Sequence, residues 1–141
     1  SIIKETENET NSNRISLPEE INKTADAISH AVCSISTDLD IKVIMTMTHS
    51  GSTARMISSY RPEAKIFALT PFDRIVRQLQ IVWGVNPIKV DNYDNIEAIP
   101  SLCSNVLKEF KLLEIDDKFV ITGGVPMGTA GTTNYLSVQK F

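Results

Sequence analysis

The sequence carries only two cysteines, Cys33 and Cys103, with neither a CxxC pair nor a His/Cys cluster, so the ligand spacing of a zinc site is missing. No Ser/His/Asp set and no paired-carboxylate arrangement emerges either, which leaves the chain without recognisable catalytic machinery. No apolar run approaches the roughly 20 residues that span a bilayer, and no signal peptide opens the chain, which starts at Ser1. An excess of positive charge is lacking too. A formal net charge of −3 argues against a general affinity for nucleic acid or for an anionic membrane. Both cysteines fall on apolar faces of expected helices. Two buried thiols in a reducing cytosol fit that placement better than a disulfide between them.

What is present is an ordinary globular composition. With 141 residues, 42% of them hydrophobic and 22% charged, the chain suits one domain with a sizeable core. Residues 1–16 are polar, free of aromatics and without apolar periodicity, which predicts a linker or flexible arm, with the domain over 17–141. Ser16, Pro18 and Glu19 supply a capping box, and Ile21, Ala25, Ile28, Val32 and Ile35 recur at helical spacing, predicting a helix over 18–36. A strand over 41–47 follows, then a short helix containing Met56 and Ile57 that ends near Tyr60-Arg61-Pro62. A second strand over 65–69 leads to Thr70-Pro71-Phe72-Asp73, a further helix start. The stripe Ile75, Val76, Leu79, Val82 and Trp83 predicts a helix packed on the core, with Gly84 as its stop. Arg74 and Arg77 fall on its solvated side. A strand over 87–90 comes next, then a helix that starts near Asp94 with a distorted first turn or has its main part from Pro100. A strand over 118–122 and a half-exposed edge strand over 135–139 complete the chain. Strands alternating with helices predict an α/β fold, a three-layer α/β/α sandwich on a mainly parallel five-stranded sheet.

Two polar runs stand out. Thr48-His49-Ser50-Gly51-Ser52-Thr53 and the stretch from Gly123 to Asn134 hold five of the six glycines and many hydroxyls, yet no Asp or Glu. Each follows an apolar strand, and the first opens a helix. Amides and hydroxyls at a helix N-terminus without local negative charge suit a phosphate. The plainer alternative is that Ser50 caps the helix and Gly51 relieves a tight turn. The lysine and spacing of a Walker A loop are absent. The second run is longer than a usual connection, which favours a ligand or interface role. His49 would bring a charge that titrates near neutrality, and Arg55 lies one turn into the helix. In the strand order 3-2-1-4-5 the two runs meet at the switch point of the sheet, where ligands bind in such folds.

The run Thr46-Met47-Thr48-His49-Ser50-Gly51-Ser52-Thr53-Ala54-Arg55, with Tyr60-Arg61-Pro62, Phe67-Ala68-Leu69-Thr70, Trp83-Gly84-Val85 and the stretch Val120–Asn134, resembles the C-terminal domain of pyruvate kinase over about residues 16–141. The resemblance implies a five-stranded sheet whose last strand is antiparallel. It also implies a regulatory and assembly role, with catalysis, magnesium and potassium left to a barrel domain that this stretch does not contain. The expected partners are that barrel, further copies in a cytoplasmic homo-oligomer, and a phosphorylated effector. Thr48, His49, Ser50, Gly51, Ser52 and Thr53 match the loop that holds an effector phosphate, and Gly128, Thr129, Ala130 and Gly131 the loop that closes over the sugar. Animal and yeast members grip a second phosphate with a tryptophan and an arginine, near positions held here by Asn92 and Ile99. That departure points to a monophosphate, a sugar phosphate or AMP. A purely structural oligomerisation domain and a stand-alone mononucleotide-binding protein are the alternative readings.

Overall fold

The computed structural model describes residues 19–93, 95–124 and 133–141. The predicted arm over 1–16, Asp94, and Gly128, Thr129, Ala130 and Gly131 lie outside them. Five strands form one sheet: β1 (Val43–Met47), β2 (Lys65–Thr70), β3 (Val85–Lys89), β4 (Lys118–Gly124) and β5 (Thr133–Lys140). Their spatial order is β3-β2-β1-β4-β5. The first four run parallel and β5 is antiparallel to β4, as the residues and the resemblance together led one to expect.

The period-2 alternation of each strand assigns the helices to faces. Val43, Met45 and Met47 of β1, Phe67 and Leu69 of β2, and Phe119 and Ile121 of β4 pack with Cys103, Val106 and Leu107, which belong to α4 (Ile99–Glu109). The opposite face presents Ile44, Ile66, Ala68 and Val120 to Val32, Ala54, Ile57, Ile75 and Leu79, which lie on α1 (Glu19–Asp38), α2 (Ser52–Ser59) and α3 (Asp73–Leu79). Because both faces are covered, the central strands are apolar almost throughout. Since α2 and α3 lie on one face and α4 on the other, the connections diverge between β1 and β4. Cys33 and Cys103 sit on opposite sides of the sheet and are free thiols.

Several element ends differ from the expected ones. Helix α3 stops at Leu79, well short of Gly84. The chain needs residues 80–84 for the turn into β3, which starts at Val85 and not Pro87, and Gly84 takes φ 69 there. Trp83 therefore leaves the apolar stripe. It is 50% exposed, not a core residue, and the Arg61 guanidinium lies 4.6 Å from its ring centroid. The fourth helix begins with a 3₁₀ turn at Ile96–Ala98, and Asn95 Oδ1 accepts the Ala98 N–H at 2.9 Å. Pro100 then sits in the first turn of α4, where its missing N–H does no harm. On β5, Tyr135 turns to the α4 side and Leu136 to the α1 side, while Val138 is exposed, as befits an edge strand.

Candidate functional site

The parallel register pairs Thr46 with Thr122, so the polar run from Thr48 and the Gly123-Gly124 end of β4 leave the sheet side by side. A Cβ at Gly123 would stand 3.2 Å from the Met47 carbonyl oxygen. A side chain there would make a tight contact that β1 could relieve only by shifting. The Thr48 N–H donates to the Leu69 carbonyl at 3.0 Å, carrying the β1–β2 pairing to the foot of the loop.

The loop is tied internally. Thr48 Oγ1 accepts the Gly51 N–H at 2.7 Å. Ser50 Oγ accepts the Ser52 N–H at 3.3 Å and donates to Ser52 Oγ at 3.0 Å. The N-cap position itself belongs to Gly51, not Ser50, because the backbone there is left-handed at φ 87 and an added Cβ would stand 3.2 Å from Leu79 Cδ2. The intrahelical ladder starts with the Arg55 N–H donating to the Gly51 carbonyl, so the Thr53 and Ala54 amides belong to the unladdered first turn. Thr48 and Thr53 are buried, whereas His49, Ser50 and Ser52 are partly open.

A contact between residues 80 apart joins the two polar runs: Thr53 Oγ1 and Thr133 Oγ1 are 2.5 Å apart, and both are buried. Thr122 Oγ1 donates to the Tyr135 carbonyl at 2.7 Å, tying β4 to β5 just before the loop departs. Of the second run, the structure thus places the two ends beside the first.

The surroundings of His49 disfavour the charge expected of it. Its ring packs edge-on against Phe72 and Tyr93, with centroids 5.6 and 5.4 Å away, and burial pushes its pKa below the ordinary 6.5. Burial also pushes the thiol of Cys33 up to about 11 and that of Cys103 up to about 12, so neither is a nucleophile near pH 7. Asp73, which begins α3 on the same edge, is paired with Lys89 at 3.1 Å. Among the described residues, no group of three or more His, Cys, Asp or Glu is arranged to hold a metal, and no helix is long and apolar enough to cross a membrane. The arrangement presents amides and hydroxyls from an acid-free loop, chemistry suited to an oxyanion. Phe72 and Tyr93 are participants that the sequence did not single out, and Thr133 entered only as part of the second run. Their contacts join residues far apart in the chain, so no spacing could have announced them.

The other end of the sheet is different in kind. Leu39, Tyr60, Ile81, Trp83, Phe110 and Ile115, six of the eight exposed large apolar or aromatic residues among the described residues, lie in the connections that lead into β1, β2, β3 and β4. A groove of about 330 Å³ runs there between residues 40–43 and 63–65, with Leu112.

Comparison with known proteins agrees with this architecture. The family described as "Pyruvate kinase, alpha/beta domain" matches residues 26–139. The pyruvate kinase of Clostridium acetobutylicum is 37% identical over 98% of the chain, which spans 30% of that protein. That of Lactobacillus delbrueckii subsp. bulgaricus is 40% identical over 81% of the chain and 19% of the relative. Among solved structures, a Cryptosporidium parvum pyruvate kinase superposes with a TM-score of 0.74 at 29% identity, over 83% of this chain and 22% of that one. The same organism's enzyme in complex with ADP gives 0.75 at 28% identity, over 89% and 25%. The chain thus spans less than a third of the relatives it matches.

Proposed function

Because this chain belongs to the pyruvate kinase alpha/beta-domain family, we propose that it is the regulatory and assembly domain of such an enzyme and binds a phosphorylated effector where its two polar runs meet. The observation that carries the reading is the acid-free loop at the switch point, joined to the start of β5 through Thr53 and Thr133. The phosphate would take the amides of the first turn of α2 and the hydroxyls of Ser50 and Ser52, helped by the helix dipole. Asn92 and Ile99 offer no cation to a second phosphate, which favours a monophosphate such as AMP or a sugar phosphate. The parent enzyme would move phosphoryl from phosphoenolpyruvate to ADP in the cytoplasm, with the catalytic residues, magnesium and potassium in its barrel. The effector would act by population shift, its ordering of the site coupled to the barrel by roughly 1–3 kcal/mol.

Thermal unfolding with AMP, sugar phosphates and inorganic phosphate tests this. Ligand at 100-fold above Kd should stabilise the fold by about 2.7 kcal/mol, and Ser50→Ala with Ser52→Ala should remove the gain. Silence across the panel would sink the effector, and phosphoryl transfer by the isolated chain would contradict the division of labour. The exposed apolar residues at the opposite end favour a second role beside the first, docking against protein. If the panel is silent, that role stands alone as an oligomerisation domain.

A further inference from the structure

We infer that Thr133 is a positioning residue of the anion site, and that the Thr53 hydroxyl serves the bridge to Thr133 and is not a ligand group. The inference rests on the phosphate reading above.

Two independent observations meet at this bridge. The first is the irregularity in the β4–β5 ladder. Gly123 pairs with Tyr135, but Gly124 pairs with Thr133, so Asn134 is an extra residue on β5. Strict alternation would send Thr133 to the same face as Tyr135, which packs on the α4 side. Thr133 meets Thr53 of α2 instead, on the other face. A bulge re-aims a side chain in this way, and this one delivers a hydroxyl to the first turn of the helix that follows the phosphate loop. The second observation is burial. Thr53 is 5% exposed and Thr133 2%, and their hydroxyls lie within hydrogen-bond distance of each other, so removing either one leaves a buried hydroxyl without this bond, which is unfavourable. One of the pair's two hydroxyl protons lies within the bridge, and both residues are buried. Anion contact falls to Ser50, Ser52 and the amides, which the bridge holds in place by fixing the first turn of α2 against the sheet.

A double-replacement cycle in the whole chain tests this, read by calorimetric titration with inorganic phosphate and by urea unfolding without it. Thr53→Val and Thr133→Val should each weaken phosphate binding by about fivefold, the usual worth of one lost hydrogen bond. The double replacement should be no worse than either alone, and Thr133→Ser should restore binding. Stability should show the same non-additivity, since removing both hydroxyls strands neither. If Thr53→Val weakens binding while Thr133→Val leaves it unchanged, Thr53 is a direct ligand and the inference is overturned. Strictly additive losses in both readouts overturn it as well. If the unaltered chain binds no phosphate, the reading above fails, and the unfolding cycle alone decides the bridge: non-additive losses uphold it and additive ones overturn it.

Discussion

At His49 the immediate surroundings override the residue type. A histidine beside a candidate phosphate loop invites a role as cation, yet the Phe72 and Tyr93 rings flank it and burial disfavours its charged form. The folded-state pKa lies below the unfolded value of 6.5, so as pH falls the unfolded chain takes up the proton first. The stability due to neutral His49 is therefore intact above about pH 6.5 and is lost as pH falls through that value toward the folded-state pKa. Urea midpoints should drop more between pH 7 and pH 5 in the unaltered chain than in His49→Gln; equal drops would remove His49 from the account. Gly51 was legible for what it is, because only glycine rests easily at φ 87. The surroundings of His49 were not, since the two rings that pack on it come from other loops.

Helix and strand cores were legible from periodicity, and their ends much less so. Asp40, Arg61 and Lys111 take φ values of 53, 51 and 53 just past α1, α2 and α4. The backbone closes over them, with the Ile41 N–H donating to the Ser36 carbonyl at 2.8 Å and the Leu112 N–H to the Leu107 carbonyl at 3.1 Å. Such stops usually fall on glycine, so a reader looking for glycine carries α3 on to Gly84 and packs Trp83 into the core. At the start of the fourth helix the signal is a side chain. Asn95 Oδ1 caps the Ala98 amide, and Asn95→Ala should cost about 1 kcal/mol in urea unfolding, with Asn95→Asp retaining most of it. A loss below a few tenths would mean that the 3₁₀ turn stands without its cap.

Across the whole molecule the two ends of the sheet divide the work proposed for it. The end where the strands exit carries polar loops, and the end where they enter carries, among the described residues, most of the exposed large apolar ones and the groove. The docking role proposed above would fall to these exposed apolar residues, of which Ile81 and Ile115 are 90% and 83% exposed. Replacing both with lysine should weaken self-association about tenfold, as loss of apolar anchors does, and leave phosphate binding unchanged. An unaltered mass by light scattering across concentrations would exclude that end as a self-association surface.

From the residues alone came the alternation of strands and helices, the five-stranded sheet and the acid-free character of its two polar runs. These follow from local pattern, since periodicity and turn chemistry act over a few neighbouring residues. Tertiary structure decided that the Thr53 hydroxyl meets Thr133, that the Phe72 and Tyr93 rings flank His49, and that Trp83 lies at the surface. Each of those depends on groups far apart in the chain meeting at Å distances, and a linear pattern holds no record of such meetings.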